Sequence, residues 1–142
     1  MHLDNPDEVP VTSENSFRAL LKVIVIFVGI SGCFSVLFGA WLAHGGKVLP
    51  INVQTSLSTA QQYQLFHTLA LLACVAWLKN VARPKVLLSA CIVFIFGIFC
   101  FSGIIYLKAF FDIGLMAKLT PIGGVALSIG WLLVAIESKN IF

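Results

Sequence analysis

Three long runs of apolar residues constrain this chain more than any other feature. Val23 to Ala43 contains no acid, base or imidazole, Val86 to Leu107 is interrupted only by Ser89, Ser102 and Tyr106, and Leu119 to Ile136 is almost uniformly apolar. A helix needs about 20 mainly apolar residues to cross a hydrocarbon layer of about 30 Å. Continuous runs of that length, without the alternation of a barrel strand, predict helices whose backbone bonds are satisfied within each span. The composition agrees: 59% of the 142 residues are hydrophobic and 11% charged, with a mean hydropathy of +0.99. A soluble domain this short could not bury so much apolar surface.

A fourth span, Ala60 to Leu78, has an apolar second half, but Gln61, Gln62, Tyr63, Gln64, His67 and Thr68 crowd its first half. Polar groups in hydrocarbon need partners, so this span is predicted to sit inside a bundle with those residues turned towards other helices; the alternative is a long interfacial helix. The expected fold is an all-α, polytopic membrane protein, a bundle of four transmembrane helices over residues 17–142. Before it, residues 1–16 form an acidic, polar tail (Asp4, Asp7, Glu8, Glu14) with no apolar period, predicted to be loosely ordered. The first run is too long, and too acidic at its start, for a cleaved leader.

With four spans, both termini share a side with the Lys79 to Lys85 turn. This groups Arg18, Lys22, Lys79, Arg83, Lys85 and Lys139 against Lys47, Lys108 and Lys118. The excess predicts termini in the cytoplasm. The short turn predicts that the second and third helices are antiparallel neighbours. Gly45 to Thr59, with Gly45, Gly46 and Pro50, reads as a loop on the outer surface, and Phe110 to Ala117 as an interfacial segment. Thr120 is placed to cap the fourth span and Pro121 to fit its first turn. Gly32, Ser35, Gly39 and Ala43 on the first helix, and Gly123, Ala126 or Leu127, and Gly130 on the fourth, form small-residue stripes that permit close helix approach within a chain or between copies.

The distinctive polar residues gather towards the predicted outer side: His44 at the end of the first helix, Tyr63, Gln64 and His67 in the second, Ser102 and Tyr106 in the third. Tyr63 and His67 are four residues apart, as are Ser102 and Tyr106, so each pair shares a helix face. Two readings follow. Either these groups hydrogen-bond one another, with Tyr106 and Trp41 as interfacial anchors, or they form an outer-leaflet cavity that binds a lipid headgroup, a quinone or a metal-bearing cofactor. His67, the only histidine, acid or base well inside a span, is expected to be a neutral imidazole bonded towards Tyr106, Ser102 or a water.

Two histidines without cysteine or carboxylate partners are a weak metal signal. Cys33, Cys74, Cys91 and Cys100 lie inside apolar runs without metal-ligand spacing and read as small core residues. With Asp112 and Glu137 at span ends, no buried acid is expected for general acid/base chemistry or proton coupling, which argues against an enzyme and against a small multidrug-type transporter. Scattered loop basicity gives no face for nucleic acid. The expected partners are membrane lipids, a second copy of the chain or another membrane protein, and no cofactor is identified.

Four separated motifs carry a resemblance. Phe38-Gly39-Ala40-Trp41-Leu42-Ala43-His44-Gly45, Thr59-Ala60-Gln61-Gln62-Tyr63-Gln64-Leu65-Phe66-His67-Thr68-Leu69-Ala70-Leu71-Leu72, Phe96 to Leu107 and Thr120 to Trp131 resemble, in order and spacing, the bacterial membrane family called domain of unknown function 423. Trp41 and Leu42 depart from that pattern, standing where the family usually has Phe-Gly. The resemblance implies a small inner-membrane protein of about four spans, related to a small eukaryotic transmembrane protein and without an established activity.

Overall fold

The computed structural model describes residues 11–78, 85–111 and 114–140. All its regular elements there are helical. Helix α1 runs over Val11–His44, a 3-10 turn follows at Gly45–Val48, and α2 covers Ile51–Leu78. A continuous rod, Lys85–Phe110, is built from α3 (Lys85–Ile98), a π turn (Phe99–Gly103) and α4 (Ile104–Phe110). After a 3-10 turn at Gly114–Lys118, α5 spans Leu119–Glu137.

Helix α1, the α3–α4 rod and α5 are each long and apolar enough to cross a membrane. The exception is α2, whose glutamines and hydroxyls lower its hydropathy. It is held among the others: α1 packs along it, and α3, the π turn and α4 pack against it as well. Rings close the contact of α1 with the rod, Phe27 lying 5.5 Å from Phe99 and Phe38 lying 4.8 Å from Tyr106 between centroids. The chain is therefore an all-α, four-helix membrane bundle in which α2 and the rod form the centre and α1 and α5 the flanks. Its apolar core joins Ile24 and Val28 of α1, Leu71, Cys74 and Val75 of α2, Leu87, Cys91 and Phe94 of α3, and Leu127 of α5.

The closest packing is between the rod and α5, because glycine occupies each crossing point. A methyl group at Gly130 would come within 2.6 Å of the Phe94 ring, and one at Gly123 would collide with the backbone of Cys100 and Phe101 in the π turn. Where lipid gives no hydrophobic drive between helices, such backbone approach supplies the dispersion contacts that do. The stripe on α1 behaves differently. Gly39 lies against the Gln61 side chain, but a methyl at Gly29 or Gly32 would meet nothing within 4 Å.

Several sequence expectations need correction. Gly45 to Thr59 is not a loop: after one 3-10 turn the chain is helical from Ile51, so α2 has 28 residues and is about 42 Å long at about 1.5 Å per residue. In the polar Asn52 to Thr59 stretch, Val53 and Leu57 lead into Ala60 at helical spacing, with Leu57 and Ala60 fully buried, and Thr55, Ser56 and Thr59 bond back to carbonyls of their own helix. The tail is helical from Val11, with Arg18 paired to Glu14 at 2.6 Å, while residues 1–10 lie outside the described residues. Thr120 does not cap α5, which begins one residue earlier at Leu119. The turn at 79–84 lies outside the described residues, but α2 and α3 are neighbours, as its shortness predicts.

Gly123→Ala is expected to destabilise the bundle by about 1–3 kcal/mol through overpacking against fixed backbone, whereas Gly29→Ala leaves stability unchanged or slightly higher. Denaturant unfolding in detergent micelles measures both, and equal effects of the two substitutions would refute the packing assignment.

Candidate functional site

The polar residues of α2 are divided between its two sides, and the structure resolves the predicted cluster into two sets. On the side facing α1 and α4, Tyr106 donates from its hydroxyl to Gln64 Oε1 at 2.8 Å. The Gln64 amide donates in turn to Ser31 Oγ at 3.0 Å, and Ser31 shares a 2.7 Å bond with Thr68. A continuous chain of hydrogen bonds thus runs from α4 through α2 to α1. Above and below it, Gln61 donates to the Ser35 carbonyl at 3.1 Å and Ser102 donates to the Ala60 carbonyl at 2.8 Å. Gln64, Thr68 and Ser102 are buried, so these bonds replace water that the site excludes. Tyr106 therefore donates its hydroxyl proton inside the bundle.

On the other side of α2, His67 is buried and uses both ring nitrogens. Nδ1 lies 2.6 Å from the Tyr63 carbonyl oxygen, which can only accept, so Nδ1 carries the proton. Nε2 is then the acceptor for the indole N–H of Trp131, 3.2 Å away on α5. This geometry fixes a neutral Nδ1–H tautomer, since a second proton on Nε2 would face the indole N–H. Phe94 packs 5.7 Å from the imidazole and 5.5 Å from Trp131, and Tyr63 stacks on Phe101 at 4.6 Å, so aromatic rings surround the bond. The expected partners of His67, Tyr106 and Ser102, are thus corrected to the Tyr63 carbonyl and Trp131.

Sequence reasoning passed over Trp131, although the glycine at 130 beside it marked the face of α5 that meets the rod. His44 joins neither set. It is exposed at the end of α1, one residue before the 3-10 turn. Tyr63, Gln64, His67, Ser102 and Tyr106 do lie around one stretch of α2, but as two networks on different sides and not as the walls of a single outer-leaflet cavity. Beside His67, a cleft of about 440 Å3 opens laterally between α2 and α5, lined by Tyr63, Phe66, Gly124, Ser128 and Trp131.

Two further polar groups are buried without a hydrogen-bond partner, the Ser35 hydroxyl and both carboxyl oxygens of Glu137. Glu137 ends α5 and is fully enclosed. The expectation that the end positions of Asp112 and Glu137 leave no buried acid is overturned for Glu137, whose side chain is fully buried. Asp112 lies outside the described residues. Among the described residues, no three His, Cys, Asp or Glu side chains come close enough to hold a metal ion.

The family model described as "Protein of unknown function (DUF423)" matches residues 38–124, the stretch from the end of α1 to the start of α5 that contains all the α2 polar residues. The chain belongs to this family. It is 35% identical over 113 residues to a UPF0382 membrane protein of Haemophilus influenzae, covering 78% of this chain and 89% of the relative. It is 33% identical over 117 residues to the UPF0382 inner membrane protein YgdD of Escherichia coli, covering 81% and 88%. With the UPF0382 membrane protein YwdK of Bacillus subtilis it shares 30% over 120 residues, covering 83% and 97%. No solved structure matches the chain. The protein is thus an integral membrane protein of a family whose function is unknown.

If the two networks hold α2 in the bundle, Tyr106→Phe and His67→Ala each remove one interhelical bond and cost about 0.6 kcal/mol, up to about 2 kcal/mol. His67→Ala also frees the Trp131 indole, which single-tryptophan fluorescence of a Trp41→Phe, Trp77→Phe background reads as a spectral shift absent from Tyr106→Phe. No shift on removing the imidazole would refute the Trp131 bond.

Proposed function

We propose that this protein is a non-enzymatic scaffold of the bacterial inner membrane, and that the outward face of α1 is its assembly surface. The observation that carries the reading is the bare glycine pair on that face. A methyl group at Gly29 or Gly32 would meet nothing within 4 Å among the described residues, and the two are bordered by exposed Ile26, Ile30, Val36 and Leu37. Gly costs a helix about 1 kcal/mol relative to Ala, so two of them on an otherwise lipid-facing surface serve an approach by another backbone. The occupant is a transmembrane helix of a second copy or of another membrane protein.

The polar networks support a structural role for the candidate site residues. His67 has no free nitrogen to offer a metal or quinone while Trp131 stays in place, and Gln64 and Tyr106 use each other. A transport reading would rest on Glu137, the one buried acid among the described residues, which lies at the end of α5 and not in the middle of a span. The inner-membrane location follows the names of relatives such as YgdD, and cytoplasmic termini follow the six-to-three excess of basic residues.

Gly32→Leu tests the assembly surface. In native membranes solubilised in mild detergent, it is expected to abolish copurification of the partner, or of a second tagged copy, while the unfolding midpoint is unchanged. Recovery of a lone monomer from the unsubstituted protein would overturn the reading. Orientation has its own measurement: a cysteine placed at Asn80, in a background lacking the natural four, should label only after the membrane is permeabilised. Labelling from outside intact cells would reverse the predicted topology.

A further inference from the structure

The outer turns of α2 carry a second polar feature, distinct from the two networks. Its 28 residues exceed what a hydrocarbon layer of about 30 Å requires, so one end projects beyond that layer. The projecting end is Ile51 to Thr59, where Asn52, Gln54, Thr55, Ser56, Ser58 and Thr59 are polar, whereas the other end, Leu69 to Leu78, is apolar. Beside it lies a cavity of about 510 Å3, walled by Asn52, Ser56 and Thr59 of α2, Ile105 and Lys108 of α4, and Thr120 at the start of α5.

The chemistry of the walls is asymmetric. Thr55, Ser56 and Thr59 spend their only hydroxyl protons on the carbonyls of Ile51, Asn52 and Thr55, at 2.9, 2.9 and 3.0 Å. What they present outward is lone pairs, which accept hydrogen bonds and cannot donate them. Across the cavity Lys108 offers an ammonium, with donors and no acceptor. It stands in the last turn of a 26-residue rod about 39 Å long, which places the amine at headgroup level. A ligand matching both walls carries an anion for Lys108 and an N–H-bearing cation for the hydroxyl row, and it must reside at the membrane surface.

We propose that this cavity binds a phospholipid headgroup containing both a phosphate and a primary ammonium, with the phosphate on Lys108 and the ammonium on the Ser56 and Thr59 oxygens. Ile105 and Pro121, which also line the cavity, give the glycerol and upper acyl segments an apolar wall. A phosphocholine headgroup shares the phosphate but has no N–H, so it satisfies one wall only. The assignment is independent of the assembly surface on α1, which lies on another helix, and a lone monomer can show it.

Native mass spectrometry of the delipidated full-length protein, titrated with dioleoyl phosphatidylethanolamine, the phosphatidylcholine analogue or soluble phosphoethanolamine, tests the proposal. The ethanolamine lipid is expected to bind about fivefold more tightly than the choline lipid, the worth of roughly one net hydrogen bond. Lys108→Ala weakens both lipids alike. Ser56→Ala with Thr59→Val removes the preference and leaves the choline lipid's affinity unchanged; Ser56→Ala alone, which favours helix, carries the same test if the double variant misfolds. Equal binding of the two lipids, or a preference that survives loss of the hydroxyls, would overturn the site. Phosphoethanolamine competing at concentrations equal to the lipid's would overturn the lipid assignment in favour of a soluble ligand.

Discussion

The hydrogen-bond chain from Tyr106 through Gln64 and Ser31 to Thr68 is the interaction on which the rest of the structure depends. Alone in lipid, α2 would expose amides, hydroxyls and an imidazole to a medium that cannot solvate them, at several kcal/mol for each unsatisfied group. The other helices relieve that cost from both sides. Helix α1 brings Ser31 and the Ser35 carbonyl, α4 brings Tyr106, and α5 brings the Trp131 indole. Because these bonds join α2 to α1, to the rod and to α5, α2 fixes the rotation of all of them, a specificity that uniformly apolar helices would lack.

Close approach between the rod and α5 is the second constraint, and it depends on local backbone geometry. Gly123 meets the π turn at Cys100 and Phe101, where the helix is wider than an α-helix. The same turn carries Ser102, which reaches across to the Ala60 carbonyl. One irregular turn therefore serves two contacts, glycine against backbone on the α5 side and hydroxyl against carbonyl on the α2 side. Further along the same face, Gly130 makes room for the Phe94 ring, which packs on His67 and Trp131. Packing and polar satisfaction are coupled there: the indole reaches the imidazole because α5 lies close to α3.

Sequence revealed the parts of this fold that length and composition determine. Apolar runs located α1, the rod and α5, because a span in lipid must be long and uncharged. The polar half of α2 was legible as a region that needs partners, since its glutamines, His67 and Thr68 stand where lipid would not tolerate them. The partners themselves were not legible. Trp131 lies 64 residues from His67 in sequence, and its role depends on the crossing angle and register of α5, which no local pattern encodes. The start of α2 was misread because Asn52 to Thr59 has loop-like composition. Its apolar positions, Val53, Leu57 and Ala60, are few but fall at helical spacing, and Leu57 and Ala60 are fully buried. Glu137 was misread for the opposite reason: an end position suggests solvent, but its side chain is fully buried.

These features place the protein's capacity for interaction at its surfaces. In the interior, the polar side chains of α2 spend their donors and acceptors on one another, so a ligand entering there would have to break bonds that hold the bundle together. At the headgroup end of α2 the hydroxyl protons of Thr55, Ser56 and Thr59 are spent but their lone pairs are open, and Lys108 lines the same cavity. On α1, the glycines that would close a helix crossing have no helix to cross. A protein built only to be stable would fill both places, with alanine on α1 and apolar side chains beside Lys108. Each costs helix stability or leaves polar capacity unused in the isolated chain, and each is relieved by something the membrane supplies, a neighbouring helix in one case and a lipid headgroup in the other.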